Sequence, residues 1–288
     1  MAPLKHPGPV CQTKDCYDNI EDGTLARTPS PLPSSVGSAA PQGTAKPARR
    51  VVAKGACSFV NPQAKGTVIA SPEAFARLRK NSGAAKISSE KPKASQTWPD
   101  GSSSPAIEQE IQIDNQKISV VRPTDDKARG KNLPTTKELA EALRAIPAAQ
   151  RAHTNEVIVS PTAAPGSSDA QTIAGQGGRG KIELFPVSDR QSQNDFANRQ
   201  NYFDNRVMHE SGHNYQEKLW SGAADVSQWQ VAADADDRRP SPYAADNTGD
   251  DFCEFNILYN TAKGAACEEI AKQIYPNRWK KMEDYQSP

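Results

Sequence analysis

The sequence predicts an α+β chain, and three observations predict it. Between about residues 107 and 185 the chain offers strands, an alternating apolar–polar hairpin in "IEQEIQIDNQKISVVRP" and two further short runs, with one helix among them. From about Ser192 onward the chain reads as mainly helical, with apolar positions three to four apart. Strands come first and helices last, without regular strand–helix–strand alternation, which argues for α+β.

Taken in order, the first hundred residues are rich in Pro, Ala, Ser, Gly and Lys, and Arg27–Arg50 reads as linker or extended coat. Arg49–Val60 and Gly66–Asn81 are expected as short strands. The second runs into a helix capped by Ser71 with Pro72 at its first position. "KASQTWPDGSSSPAIEQ" reads as loop. "IEQEIQIDNQKISVVRP" alternates on both sides of Asp114–Asn115, the pattern of a hairpin. "PTTKELAEALRAIP" sets Leu139, Ala142, Leu143 and Ile146 on one helical face between a threonine cap and a proline stop. "NEVIVSP" and "KIELFPV" are two further strands around the loop "TAAPGSSDAQTIAGQGGRG". Its "GQGGRG" lacks the Lys-Ser/Thr ending of a phosphate loop and leads into a strand rather than a helix, so phosphate binding is not assigned. "SQNDFANRQNYFDNRVMHESGHNYQEKLW" is one long helix or two joined near Asn201, and "GDDFCEFNILYNTAKG" is a helix ending at a glycine.

A hydrophobic fraction of 36% with 23 prolines means that part of the chain is coat rather than core. These features divide it into an irregular region, 1–106, and a folded domain, 107–288. A net charge of +1 provides no field that would favour nucleic acid or an anionic membrane. No apolar run approaches the roughly 20 residues that span a bilayer. "MAPLKHPGPVCQTKDC" has no apolar h-region and is not expected to be a secretory signal peptide. The five cysteines, Cys11, Cys16, Cys57, Cys253 and Cys267, lack the spacing of a zinc knuckle and read as reduced thiols or as one or two oxidised pairs.

The chemistry concentrates in "HESGH". His209 and His213, at i and i+4, project from one side of a helix about a turn apart, as two imidazole ligands of one zinc ion must. Glu210 follows the first and can reach a water beside the metal as general base. A catalytic zinc takes a third protein ligand. "SPYAADNTGDDFCEFNILY" offers Asp250 and Glu254 on one helical face, with Asp251 pointing away. One of the pair can bind zinc while the other accepts the free N–H of a ligand histidine.

The run "VMHESGH" followed by "SPYAADNTGDDFCEFNILY" resembles the catalytic domain of anthrax-lethal-factor-like zinc metallopeptidases, a group that includes the bacterial Pro-Pro endopeptidases. Their HExxH is followed by Tyr-x6-Glu-x-Phe-x-Glu, and Tyr243, Asp250, Phe252 and Glu254 fill those places without a gap. The resemblance covers about Asn194 to Tyr259. It implies a zincin-like domain with a small sheet packed on the HExxH helix. It implies Zn2+ on His209, His213 and Asp250, Glu210 as general base, Glu254 behind a ligand histidine, and Tyr243 donating to the oxyanion. Asp250 stands where the family has Glu, so Glu254 stays open as the alternative third ligand.

The resulting expectation is a metallopeptidase acting on a protein or peptide. The resemblance suggests a bacterial effector or toxin exported without a signal peptide, with the leader Met1–Arg50 as docking segment for a secretion-machine component and an immunity protein as a further partner. A zinc hydrolase of peptidoglycan peptides and a non-catalytic zinc-binding protein are the alternatives. His153 reads as a surface residue and His6 is assigned nothing. Trp220, Trp229 and Trp279 read as anchors of the helical layer rather than a substrate groove. Cys253 reads as a packing thiol without a basic partner, with Cys267 a possible bridge, and not as a nucleophile.

Overall fold

The computed structural model describes residues 53–64, 66–124, 133–167, 175–186, 198–236 and 238–287. The linker Arg27–Arg50, the docking leader, Cys11, Cys16 and His6 lie outside the described residues. So do residues 168–174 of the long loop and residues 192–197 before the HExxH helix. The described residues belong to one unit, Val51–Pro288, of mixed α+β architecture.

Its sheet has seven strands: β1 (Lys86–Ile87), β2 (Lys91–Thr97), β3 (Ser103–Ile113), β4 (Gln116–Pro123), β5 (Glu156–Val159), β6 (Gly175–Gly178) and β7 (Lys181–Leu184). Their order is β1-β3-β4-β5-β7-β6, with β2 also pairing with β3. β3 and β4 form the expected hairpin, turning at Asp114 with φ of 55°. β4, β5 and β7 run parallel, and β6 returns antiparallel to β7. Parallel neighbours need a crossover; the β4–β5 crossover carries α2 (Thr136–Ala145) and α3 (Ala148–Arg151). Thr135 caps α2 in a capping box with Glu138, as the threonine predicted.

The helical layer comprises α1 (Pro72–Arg79), α4 (Arg199–Leu219), α5 (Ala223–Ala235), α6 (Thr248–Ala262), α7 (Glu268–Ile274) and α8 (Pro276–Gln286). One sheet face buries Ile111, Ile113, Ile118, Val120, Val157, Val159, Ile182 and Leu184 in a core shared with Leu139 and Leu143 of α2, Val207 and Met208 of α4, and Phe252 and Phe255 of α6. The opposite face buries Ala106, Val121 and Ile158 under Trp98. Trp229 and Trp279 are fully enclosed in the helical layer, and Trp220 is half-buried against Phe252. No helix among the described residues is long and apolar enough to cross a membrane.

Three expectations for the N-terminal part change. The boundary at Ile107 falls inside β3, because the segment from residue 53 packs into the same core through Phe59, Val60, Val68, Ala70 and Phe75. A disulfide, Cys57–Cys267, ties that segment to the turn before α7 across 210 residues of sequence. Gly55–Val60 forms a 3-10 turn rather than a strand, while "KPKASQT", read partly as loop, is β2. β2 is almost wholly exposed at the sheet edge, so it carries no alternation to read.

Candidate metal centre

Two helices and one turn converge on the HExxH motif. α4 carries His209, Glu210 and His213, and its N-cap Asn198 accepts from the Asn201 N–H. α6 begins at the N-cap Asn247, whose side chain accepts the Asp250 N–H at 2.8 Å and donates Nδ2 to Asp250 Oδ2 at 2.5 Å. The cap therefore fixes the Asp250 carboxylate at the positive end of the helix. Close approach of α4 and α6 depends on Gly212, where a Cβ would come within 3.1 Å of Cys253 Sγ.

The two imidazoles are oriented from behind. His209 Nδ1 lies 3.0 Å from Glu254 Oε1, and His213 Nδ1 lies 3.4 Å from Gln216 Oε1. An N–H on each Nδ1 leaves both Nε2 lone pairs facing forward. They face one oxygen: Asp250 Oδ1 is 3.5 Å from His209 Nε2 and 3.4 Å from His213 Nε2. The edge of a tetrahedron with 2.0–2.1 Å metal–ligand arms is about 3.4 Å, so each of these two separations is close to one edge of a tetrahedral site. The donor set of two imidazoles and a carboxylate suits zinc.

Glu254 is engaged elsewhere. Besides His209, its carboxylate accepts the Val68 N–H at 2.5 Å and the Ser241 hydroxyl at 2.7 Å. Of the two carboxylates left open by the sequence, Asp250 is the one facing both Nε2 atoms and Glu254 the one behind His209. The adjacent acid, Asp251, points away and is bound by Arg278, Arg239 and Trp229.

Glu210 is almost fully buried, with Arg206 Nη1 3.4 Å from its Oε1. Tyr243 lies on a 3-10 turn, Tyr243–Ala245, with its ring centroid 5.6 Å from that of His209. The turn is held by the Tyr243 N–H on the Gly66 carbonyl and by the Ala244 N–H on the Ser241 hydroxyl.

The cluster is rich in carboxylates, and its titration reflects that. Burial alone would keep His209 neutral, but hydrogen bonds to Asp250 and Glu254 and the charges of Glu210 and Glu254 outweigh it and lift its pKa to about 10. His213 is raised well above its usual value against burial, by Cys253 and Asp250. Burial would raise Asp250, yet the two histidines hold it well below the usual carboxylate range. Burial, then the charges of Asp250 and Glu210, keep the Tyr243 phenol protonated far above its usual range, a donor at any working pH. A divalent cation on the two Nε2 atoms would replace protons that these carboxylates already favour there.

Compared with known protein families, curated proteins and solved structures, the chain matches none.

Cys253 corrects two sequence expectations. Its possible partner Cys267 is bonded to Cys57, and Cys253 is a free, buried thiol. It also has a basic neighbour, because His213 lies beside it: donor atoms of His209, His213 and Cys253 all fall within 4.8 Å of one another, so the thiol could join a metal site. Burial pushes its pKa up to about 11 against the pull of His213, so it is a thiol and not a nucleophilic thiolate. His153 stands apart, half-buried and stacked on Tyr215. Sequence reasoning did not single out Arg206, Gln216, Ser241, Asn247 or the Val68 N–H. Asn247 alone carried a signal, as an N-cap residue three before an acid.

Proposed function

We propose that the chain is a zinc-dependent metallopeptidase with a zincin-like domain. One observation carries the reading: Asp250 Oδ1 lies 3.5 Å from His209 Nε2 and 3.4 Å from His213 Nε2, each close to one edge of a tetrahedral site, with Glu210 next to His209 on its helix. The resemblance of "HESGH" and the Tyr243–Asp250–Phe252–Glu254 register to lethal-factor-like peptidases points the same way. His209, His213 and Asp250 would hold the ion, which would supply Lewis acidity to polarise a carbonyl and acidify water.

The chain's own groups do the rest. Glu254 and Gln216 keep protons on the two Nδ1 atoms, so both Nε2 atoms stay available. Glu210 takes a proton from the attacking water and returns it to the amine nitrogen as the C–N bond breaks, so peptide and water give one acid and one amine. The Tyr243 hydroxyl donates to the oxygen on which negative charge develops.

The test is hydrolysis of casein and, separately, of peptidoglycan peptides by the full chain, with zinc and with chelator. Cleavage of casein that chelator abolishes is expected, with a Glu210→Ala variant at least about 100-fold slower while still binding zinc. Zinc-dependent cleavage of the peptidoglycan peptides alone would move the substrate to the cell wall. Full activity in Glu210→Ala would remove the mechanism.

A further inference from the structure

Glu210 is the residue on which the proposed hydrolysis turns, and its carboxylate is held unevenly. Its side chain is 3% exposed, and its one hydrogen bond from the described residues is from Arg206 Nη1 to Oε1. Arg206 sits one turn earlier on α4 with its guanidinium beside the Tyr202 ring, and it lines the same small cleft as His209. A second element reaches the same oxygen. A Cβ on Gly175, the first residue of β6, would lie 2.5 Å from Glu210 Oε1. A Cβ on Gly177 would lie 2.0 Å from the Glu210 carbonyl oxygen and 3.0 Å from His213 Cβ. A side chain at Gly177 would force β6 off the helix backbone, and one at Gly175 would displace the Glu210 side chain, so these glycines let the strand lie directly against the motif. The turn after β6 is fastened to α4 as well, with the Arg179 N–H on Glu217 and the Gly180 N–H on Asn214.

Arg206 holds Oε1, an added Cβ on Gly175 would collide with that same carboxylate, and Oε2 takes no hydrogen bond from the described residues. A buried carboxylate with one oxygen pinned and the other open has a defined direction. We propose that Arg206 is a positioning residue that pins Oε1 of Glu210 and so presents Oε2 for proton transfer, and that Gly175 leaves the carboxylate the room to be held there. This rests on the metallopeptidase reading for its purpose, but the pinning itself does not. Arg suits the role better than Lys because its planar fork restrains orientation, whereas an ammonium acts as a point charge on a flexible stem.

The experiment has two arms on the zinc-loaded full chain. The first measures thermal midpoints of Arg206→Met, Glu210→Gln and the double variant, without reference to activity. Pinning predicts non-additivity, with the double variant melting higher than the summed single effects require; additive midpoints would overturn it. The second measures steady-state hydrolysis and bound zinc for Arg206→Met, Arg206→Lys and Gly175→Ala. A fall of roughly 10–100-fold in kcat is expected for Arg206→Met at unchanged KM and zinc content, partly restored in Arg206→Lys. Gly175→Ala lowers kcat likewise. An Arg206→Met variant with kcat within about twofold of wild type, or a loss confined to KM, would overturn the proposal. If the wild-type chain hydrolyses nothing, the metallopeptidase reading fails, and the first arm still decides whether Arg206 pins Glu210.

Discussion

Asp250 and Asp251 are neighbours in sequence and belong to two different buried charge clusters on α6. Asp251 accepts Arg278 Nε at 2.8 Å and Nη2 at 2.7 Å, Arg239 at 2.9 Å and the Trp229 N–H at 2.9 Å. Arg278 also reaches Asp236 at 3.1 Å and Arg239 the exposed Asp234 at 3.0 Å, so each buried carboxylate of the group has a guanidinium partner. On the Asp250 side three carboxylates, Glu210, Asp250 and Glu254, face one guanidinium, Arg206, and two imidazoles. That cluster reaches neutrality only by taking up further positive charge, as protons on the rings or as a metal ion. A closed cluster fastens α5, α6 and α8; an open one is arranged to receive a cation.

The difference can be broken first at Arg278. Replacing it with alanine leaves the buried Asp236 without a guanidinium and removes the bidentate partner of Asp251, and should cost about 3–5 kcal/mol of unfolding free energy in denaturant titrations, equally with and without zinc. A dependence on zinc would mean that the clusters are coupled. Glu254→Gln keeps an acceptor for the Val68 N–H but removes the charge behind His209. Zinc affinity should fall roughly 10–100-fold in competition with a chelating dye, with much less effect on the zinc-free melt. An unchanged affinity would detach Glu254 from the site.

The smallest effect is a pH dependence. The folded pKa of His209, about 10, lies above its ordinary 6.5, so its contribution to stability is complete below about 6.5 and is lost as pH rises through 10. Asp250 has the opposite sign: its carboxylate is held low, so its contribution is lost as pH falls below its ordinary 3.8. Melts of chelator-treated protein should therefore decline between pH 6.5 and 10, and zinc-loaded protein should decline less because the ion replaces the protons. Equal slopes with and without zinc would contradict this.

Much of the site was legible because its information is local. His209, Glu210 and His213 share one helical face by spacing alone, and Tyr243, Asp250 and Glu254 lie in one register. α2 announced itself through its cap and apolar stripe, and the β3–β4 hairpin through alternation around Asp114. What stayed hidden depends on distant contacts or on the absence of side chains. β6 has no branched or aromatic residue to mark a strand, and its glycines are explained only by the helix they touch. The choice between Asp250 and Glu254 turns on Val68 and Ser241, which occupy Glu254 from outside its helix. The Cys57–Cys267 bond joins segments 210 residues apart, and five cysteines allow many pairings.

The central claim is that His209, His213 and Asp250 together hold one divalent ion. Equilibrium dialysis of the full chain against buffered zinc, with element analysis of the retained metal, tests it directly. The account predicts about one ion per wild-type chain, lost in His213→Ala and strongly weakened in Asp250→Ala, with both variants still folded by circular dichroism. A wild-type chain that retains no zinc, or an Asp250→Ala variant that retains it as tightly as wild type, would contradict it.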